Sequence, residues 1–173
     1  MKRVLILSDT HGPPDPRIAE LSGSTDYVVH AGDLGGLCGL SGLAPDKAVI
    51  AVSGNNDVPS KWPEEEHNAL LGLPAKARLE LPGGVLVVEH GHRVNPAAKR
   101  HAKLRARHPE ARLVVYGHSH HLLVDDSETP WVVNPGAAGR SRTFGGPSCL
   151  LLSASEDDWR IETRRFALNR NQN

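Results

Sequence analysis

Two cysteines in 173 residues, Cys38 and Cys149, show no paired spacing, so neither a disulfide framework nor a thiolate metal cage is expected. We read them as free thiols, which suits a reducing cytosol. An excess of either charge is also missing: Lys and Arg together number 20, and Asp and Glu together number 20. That balance leaves no basic field for nucleic acid and no basic amphipathic stretch for a lipid surface. Long apolar runs are absent. The first, Val4–Leu7, stops before Asp9, too short for a signal peptide or a membrane span. Repeats, linkers and low-complexity stretches are lacking too. One domain over residues 1–173 is therefore expected, long enough to bury a proper core.

Histidine is abundant, at ten residues. Most of them sit in or beside five short apolar runs. Val4-Leu5-Ile6-Leu7 leads into Ser8-Asp9-Thr10-His11. Tyr27-Val28-Val29 leads into His30-Ala31-Gly32-Asp33. Ala48–Val52 leads into Ser53-Gly54-Asn55-Asn56-Asp57. Val85–Val88 leads into Glu89-His90-Gly91-His92, and Leu113–Tyr116 into Gly117-His118-Ser119-His120. Each run reads as a strand followed by a small residue and then Asp, Asn or His. A single such motif is weak. Five in succession, each at a strand's carboxyl end, point to one site, because open α/β sheets build their sites at that edge. If these segments are extended, alternate side chains share a side, so His118 and His120 aim at one place.

The patterning predicts strands over 3–8, 27–31, 47–52 and 112–116, and a short helix from Pro16 to Leu21. A hairpin is expected where Arg78–Leu81 and Val85–Val88 flank Pro82-Gly83-Gly84. Pro96 to Arg107 reads as a helix capped by Asn95, its lysines and arginines forming a solvated face. Leu34–Ala44 reads as a loose helix or a loop, and Lys61–Asn68 as an exposed turn region. Further strands are expected over 121–125, 130–133, 147–153 and 158–165, with Asn134-Pro135-Gly136 turning between two of them. Alternating strands and helices followed by hairpins give an α/β (α+β) class, with two mixed sheets packed face to face and helices outside.

Asp9, His11, Asp33, Asn55, His90, His118 and His120 are all oxygen or imidazole donors. Such a set suits manganese, iron, nickel or zinc better than calcium. Seven donors exceed the needs of one tetrahedral zinc and suit two ions about 3.5–4 Å apart with a shared carboxylate. Two divalent ions carry four positive charges, of which two carboxylates and a bridging hydroxide cancel three. The residual positive charge favours an anionic substrate such as a phosphate ester.

Taken in order, Asp9-x-His11, Gly32-Asp33, Gly54-Asn55-Asn56-Asp57, His90-Gly91-His92 and Gly117-His118-Ser119-His120 resemble the motifs of the calcineurin-like metallophosphoesterases. Length and order resemble the small bacterial and archaeal phosphodiesterase branch, and the likeness extends to Asn134-Pro135-Gly136. The resemblance implies a four-layer α/β/β/α sandwich and a two-metal hydrolase attacking a small phosphodiester with a metal-bridging hydroxide. It implies that Asp9, His11 and His120 hold the first ion, that Asn55, His90 and His118 hold the second, and that Asp33 bridges. Manganese heads the expected metals, with iron, nickel, zinc and magnesium as alternatives. Three departures matter. No Asp-Arg pair follows Gly32-Asp33. Asn56 stands where many relatives have a general-acid histidine and the small branch usually has cysteine. Ala137 stands where the branch often has serine. The first two argue against a protein phosphatase. Asn56 can at most hydrogen-bond to the substrate, which makes His92 the other candidate catalytic residue.

Among the remaining residues, His30 reads as a hydrogen-bonded core histidine and Asp57 as a group orienting a ligand or a turn. His121 reads as structural, pointing away from His120. His67, His101 and His108 read as surface, and Trp62, Trp131 and Trp159 as packing. The expected compartment is cytoplasmic, without membrane or nucleic-acid partners, and homo-oligomerisation is left open. Two other functions compete. One is a non-catalytic metal-binding scaffold of the same fold, as in a eukaryotic retromer subunit that has lost several motif residues. The other is an amidohydrolase, disfavoured because that class needs His-x-His after its first strand and a barrel of roughly 250 residues.

Overall fold

A computed structural model describes residues 1–168. In chain order the regular elements are β1 (Lys2–Leu7), α1 (Pro16–Ser22), β2 (Tyr27–His30), β3 (Ala48–Ala51), α2 (His67–Leu71), β4 (Lys76–Leu81) and β5 (Gly84–Glu89). There follow α3 (Arg100–Arg107), β6 (Leu113–Val115), β7 (Leu122–Asp125), β8 (Trp131–Pro135), β9 (Ser148–Ala154) and β10 (Trp159–Arg165). Two five-stranded sheets form, ordered β10-β9-β1-β2-β3 and β4-β5-β6-β8-β7. Both are mixed. β1, β2 and β3 run parallel, as do β5, β6 and β8, while β9, β10, β4 and β7 pair antiparallel at the flanks.

Strand alternation explains the layering. Val4, Ile6 and Val29 of the first sheet meet Leu86, Val88, Leu113, Val115 and Val133 of the second in one buried cluster. The residues of opposite parity face outward and are buried as well. Leu5, Leu7 and Val28 pack against Ile18 of α1, and Val87, Val114 and Val132 pack against Leu104 of α3. Strands covered on both faces read as continuous apolar runs, which is why the sequence shows runs there rather than alternation. The result is the α/β/β/α sandwich. No helix among the described residues is long and apolar enough to cross a membrane.

Three local expectations change. Lys61–Asn68 is not an open turn region: 3-10 turns at Pro59–Lys61 and Glu64–Glu66 lead into α2, and Trp62 and Leu70 bury against Leu34. The third helix begins later than Pro96. Pro96 is extended (φ −72°, ψ 160°), a 3-10 turn covers Ala97–Lys99, and the Asn95 side chain donates to His92 O at 3.1 Å instead of capping. The basic residues of α3 are not all solvated. Arg100 is buried and donates to Val94 O, Arg105 pairs with Asp125 at 2.8 Å, and Arg107 pairs with Glu89 at 2.8 Å. For the same reason His108 is core rather than surface, donating to Glu89 at 2.7 Å, while His101 is half-buried between Asp125 and Tyr116.

Candidate metal centre

The parallel strands of both sheets end on the same side, so the five motif loops meet there. The seven expected donors come together. His120 Nε2 lies 3.4 Å from Asp9 Oδ1 and 3.3 Å from His11 Nε2. His90 Nε2 lies 3.4 Å from Asp33 Oδ2 and 3.1 Å from Asn55 Oδ1, which is 3.0 Å from His118 Nδ1. Asp33 Oδ2 is also 3.7 Å from His11 Nε2, so one carboxylate oxygen stands between the two groups.

The convergence does not come from extended backbone. Among the described residues seven that are not glycine have positive φ, and five of them are Asp9 (52°), His11 (47°), Asp33 (57°), His118 (67°) and His120 (61°). While Asn55 and His90 have ordinary φ, three of the five loops thus turn through the left-handed region at their donors. That conformation is uncommon outside glycine and concentrates at functional sites. Two glycines let the loops close up. A Cβ on Gly54 would land on Asp33 Oδ1, and one on Gly117 would land on Ser8 Oγ beside Asp9.

Surrounding groups set the ring orientations. His90 Nδ1 donates to Ala31 O at 2.7 Å and His120 Nδ1 to Arg142 O at 3.2 Å, which turns each Nε2 toward the centre. Burial pushes the His120 pKa down to about 4 and also lowers His11 and His118, so all three present neutral nitrogens. For His90, burial is outweighed by the hydrogen bond to Asp33 and the charges of Asp9 and Asp33, and the net shift is upward. Asp33 is likewise buried, yet His90 and Asn56 hold its carboxyl well below the usual range. Asp9 goes the other way, its pKa pushed up to about 7 by burial.

These residues fit a cation. Asp9 Oδ2 is satisfied by Ser8 Oγ at 2.7 Å and His118 N at 3.0 Å, but Oδ1 is buried without a partner. An orphaned buried carboxylate oxygen is costly unless something positive meets it. His90 Nε2 also faces Asn55 Oδ1 and Asp33 Oδ2, two oxygens that a cation there could share with the ring. Among the described residues two sets of acidic and imidazole donor atoms lie within 4.8 Å of one another: Asp9, His11 and His120, and Asp9, Asp33 and His90. The second set shares Asp9 with the first, and Asn55 and His118 adjoin it through the Asn55 oxygen. Asn55 Oδ1 is the nearer to His90 Nε2, at 3.1 Å against 3.9 Å for Asp9 Oδ1.

The supporting residues are placed as follows. Asp57 accepts at both oxygens: Oδ2 from Asp33 N and Gly54 N, both at 2.8 Å, and Oδ1 from Leu34 N, Gly35 N and Trp62 Nε1 at 2.9, 3.2 and 3.0 Å. It therefore ties the loop carrying Asp33 to the loop carrying Asn55. Asn56 is turned to Asp33, with its N donating to Oδ1 at 2.8 Å and its Nδ2 to Oδ2 at 2.6 Å, while Lys61 Nζ donates to its Oδ1. The His92 ring lies 5.4 Å from that of His90, and its Nδ1 is buried without a partner. His30 is a core residue, with Nδ1 accepting from Gly32 N and Nε2 paired with Thr10 Oγ1. His121 stacks on Phe144, with ring centroids 4.2 Å apart. Two cations escaped the sequence reading. Arg142 Nη2 donates to His11 Nε2 at 3.1 Å from a loop to which the sequence reading gave no role, and Lys61 lay in a stretch read as a turn.

Residues 1–157 match the calcineurin-like phosphoesterase superfamily domain. A probable metallophosphoesterase of Methanocaldococcus jannaschii is 31% identical over 140 residues, 76% of this chain, and this chain spans 66% of that protein's length. In fold, the chain is similar to Vps29 of Entamoeba histolytica complexed with zinc (TM-score 0.70, 20% identity, 96% of this chain and 99% of that one). It is also similar to a novel archaeal phosphodiesterase (TM-score 0.67, 22% identity, 94% and 99%). The motif order, the sandwich and the match over residues 1–157 agree: this chain belongs to the calcineurin-like phosphoesterase superfamily.

Proposed function

We propose that the chain is a metal-dependent phosphoesterase that hydrolyses a small phosphodiester at a dinuclear centre. The observation that carries this reading is the partnerless, buried Asp9 Oδ1, set between the His90 and His120 imidazoles and beside Asp33. Asp9, His11 and His120 would hold one ion, and Asn55, His90 and His118 the other. Asp33 would serve both through Oδ2. The mixed oxygen and imidazole set favours manganese, with iron, nickel, zinc or magnesium as alternatives. Bound there, the ions would polarise a water for attack and offset the charge of the phosphoryl oxygens.

The chain's own residues position and contain the reaction. Asn56 pins both oxygens of Asp33, and Asp57 pins the Asp33 backbone. The guanidinium of Arg142 and the ammonium of Lys61 flank the centre where a phosphoryl oxygen can be taken up. Asn56 has no proton to give the leaving oxygen, so either the leaving group departs by its own acidity or His92 donates. Ser8 and Ser119 are poor nucleophile candidates. Ser8 Oγ is bonded to Asp9, and Ser119 Oγ accepts from Asn134 Nδ2 at 3.0 Å.

Two experiments test the reading together. Asp33→Ala should abolish aryl phosphodiester hydrolysis and lower the metal content, and full activity in that variant would refute it. Turnover in isotopically labelled water should place one label in the product. A trapped phospho-enzyme at Ser8, Ser53 or Ser119 would contradict it. The likeness to Vps29 favours a second reading, a metal-binding scaffold. Retention of all seven donors supports the enzyme over it. A chain that binds metal but turns over no diester would reverse that preference.

A further inference from the structure

A cavity of about 600 Å³ adjoins the metal-ligand cluster. Asn55 and His90 belong to its wall, so it opens directly from the centre, with His92 at the junction. The volume is that of a small organic ligand, well above what one phosphoryl group requires. Beyond the junction the wall carries Lys76, Arg93 and Arg107, with the small apolar Val58 and Ala75.

Two carboxylates also line it, and both are occupied. Asp57 is buried and saturated by four backbone N–H groups and the Trp62 indole. Glu89 is buried and bonded to His108 at 2.7 Å and Arg107 at 2.8 Å. Lys76 and Arg93 form no ion pair among the described residues, and both are exposed. Set against these two carboxylates, Lys76, Arg93 and Arg107 leave the lining with a formal charge of +1, in a chain whose formal net charge is zero. A positive wall beside the reaction centre raises the local concentration of an anion and holds it by charge-assisted hydrogen bonds.

We propose that this cavity is a second anion subsite, and that it takes a phosphate group carried by the substrate beyond the scissile diester. The substrate class is then an organic phosphodiester bearing an additional phosphate. Its scissile group lies at the seven-donor centre, its organic part lies against Val58 and Ala75, and its second phosphate lies on Lys76 and Arg93. This rests on the phosphoesterase reading for its location, but it makes a separate claim about binding.

The test uses two readouts on the full, manganese-loaded chain. Calorimetry compares thymidine 3′,5′-bisphosphate with thymidine 5′-monophosphate. Kinetics compare the p-nitrophenyl ester of thymidine 5′-monophosphate with the same ester carrying a 3′-phosphate. The extra phosphate should improve affinity and kcat/KM about tenfold, chiefly through KM, and added salt should reduce the gain. In the double variant Lys76→Gln, Arg93→Gln both ratios should fall to about one. Equal binding of the two nucleotides by the wild type, or a preference that survives in the double variant, would overturn the subsite. Absence of hydrolysis together with a preserved binding preference would leave the subsite standing and refute the phosphoesterase reading instead.

Discussion

Asp57→Asn is the sharpest test of how the centre is held. The replacement is nearly isosteric but keeps only one acceptor oxygen. The amide will place that oxygen at the Oδ1 position, where three donors wait: Leu34 N, Gly35 N and Trp62 Nε1. Its NH2 then faces Asp33 N and Gly54 N, donor against donor. Each buried donor stripped of a charged acceptor costs about 1–3 kcal/mol, so two give about 2–6 kcal/mol. That is a large share of the roughly 5–15 kcal/mol that stabilises a typical domain. The loss falls on the backbone of Asp33, so metal affinity should drop about 10–100-fold. Urea denaturation in EDTA measures the first effect and metal titration calorimetry the second. Trp62→Phe is the control: it removes one of the five bonds, costs about 1 kcal/mol and leaves metal affinity within a few-fold. If Asp57→Asn matches wild type in stability, or loses stability with unchanged metal affinity, then Asp57 does not organise the centre as argued.

Wild-type hydrolysis of aryl phosphodiesters should depend steeply on leaving-group acidity, and Asn56→His should flatten that dependence. A flat wild-type series that steepens in His92→Ala would make His92 the acid, a contribution of about 10²–10⁴-fold. The His30 pKa, pushed down to about 4 by burial, links stability to pH. The unfolded imidazole takes a proton near pH 6.5 and the folded one does not, so the unfolded state gains protons as pH falls. Between pH 6.5 and 4 the metal-free wild type should therefore lose about 3 kcal/mol more than His30→Gln, and equal pH slopes would refute this. Burial pushes the Cys149 thiol up to about 12, while Cys38 is exposed. A thiol reagent at neutral pH should label Cys38 alone in the native chain and both cysteines in denaturant, and native labelling of Cys149 would contradict the packing.

The sandwich was legible because its strands are covered on both faces. Val4–Leu7, Val85–Val88 and Leu113–Val115 read as apolar runs whatever surrounds them, and the small and polar residues after each run mark its end. The candidate donors were legible for a related reason. Side chains that can hold an ion come from a short list of oxygen, imidazole and thiolate donors, and here His, Asp or Asn stands at all five strand ends. The residues that escaped are those whose role depends on a distant partner. Arg142 and Lys61 look like ordinary surface cations until the fold sets one against His11 and the other against Asn56. His108 looked like a surface residue because Glu89, its partner, lies 19 positions away.

By itself, then, the sequence determined the two sheets, the edge where the motifs gather and the donor chemistry of the centre, because strand periodicity and ligand type are local properties. It did not determine how the donors converge. Extended alternation was the natural expectation for His118 and His120, whereas both adopt positive φ, as do Asp9, His11 and Asp33. An isolated chain avoids that conformation because the Cβ crowds the backbone. Only the packed loops, with Gly54 and Gly117 allowing close approach and Asp57 collecting the backbone N–H groups, hold five side-chain-bearing residues there at once.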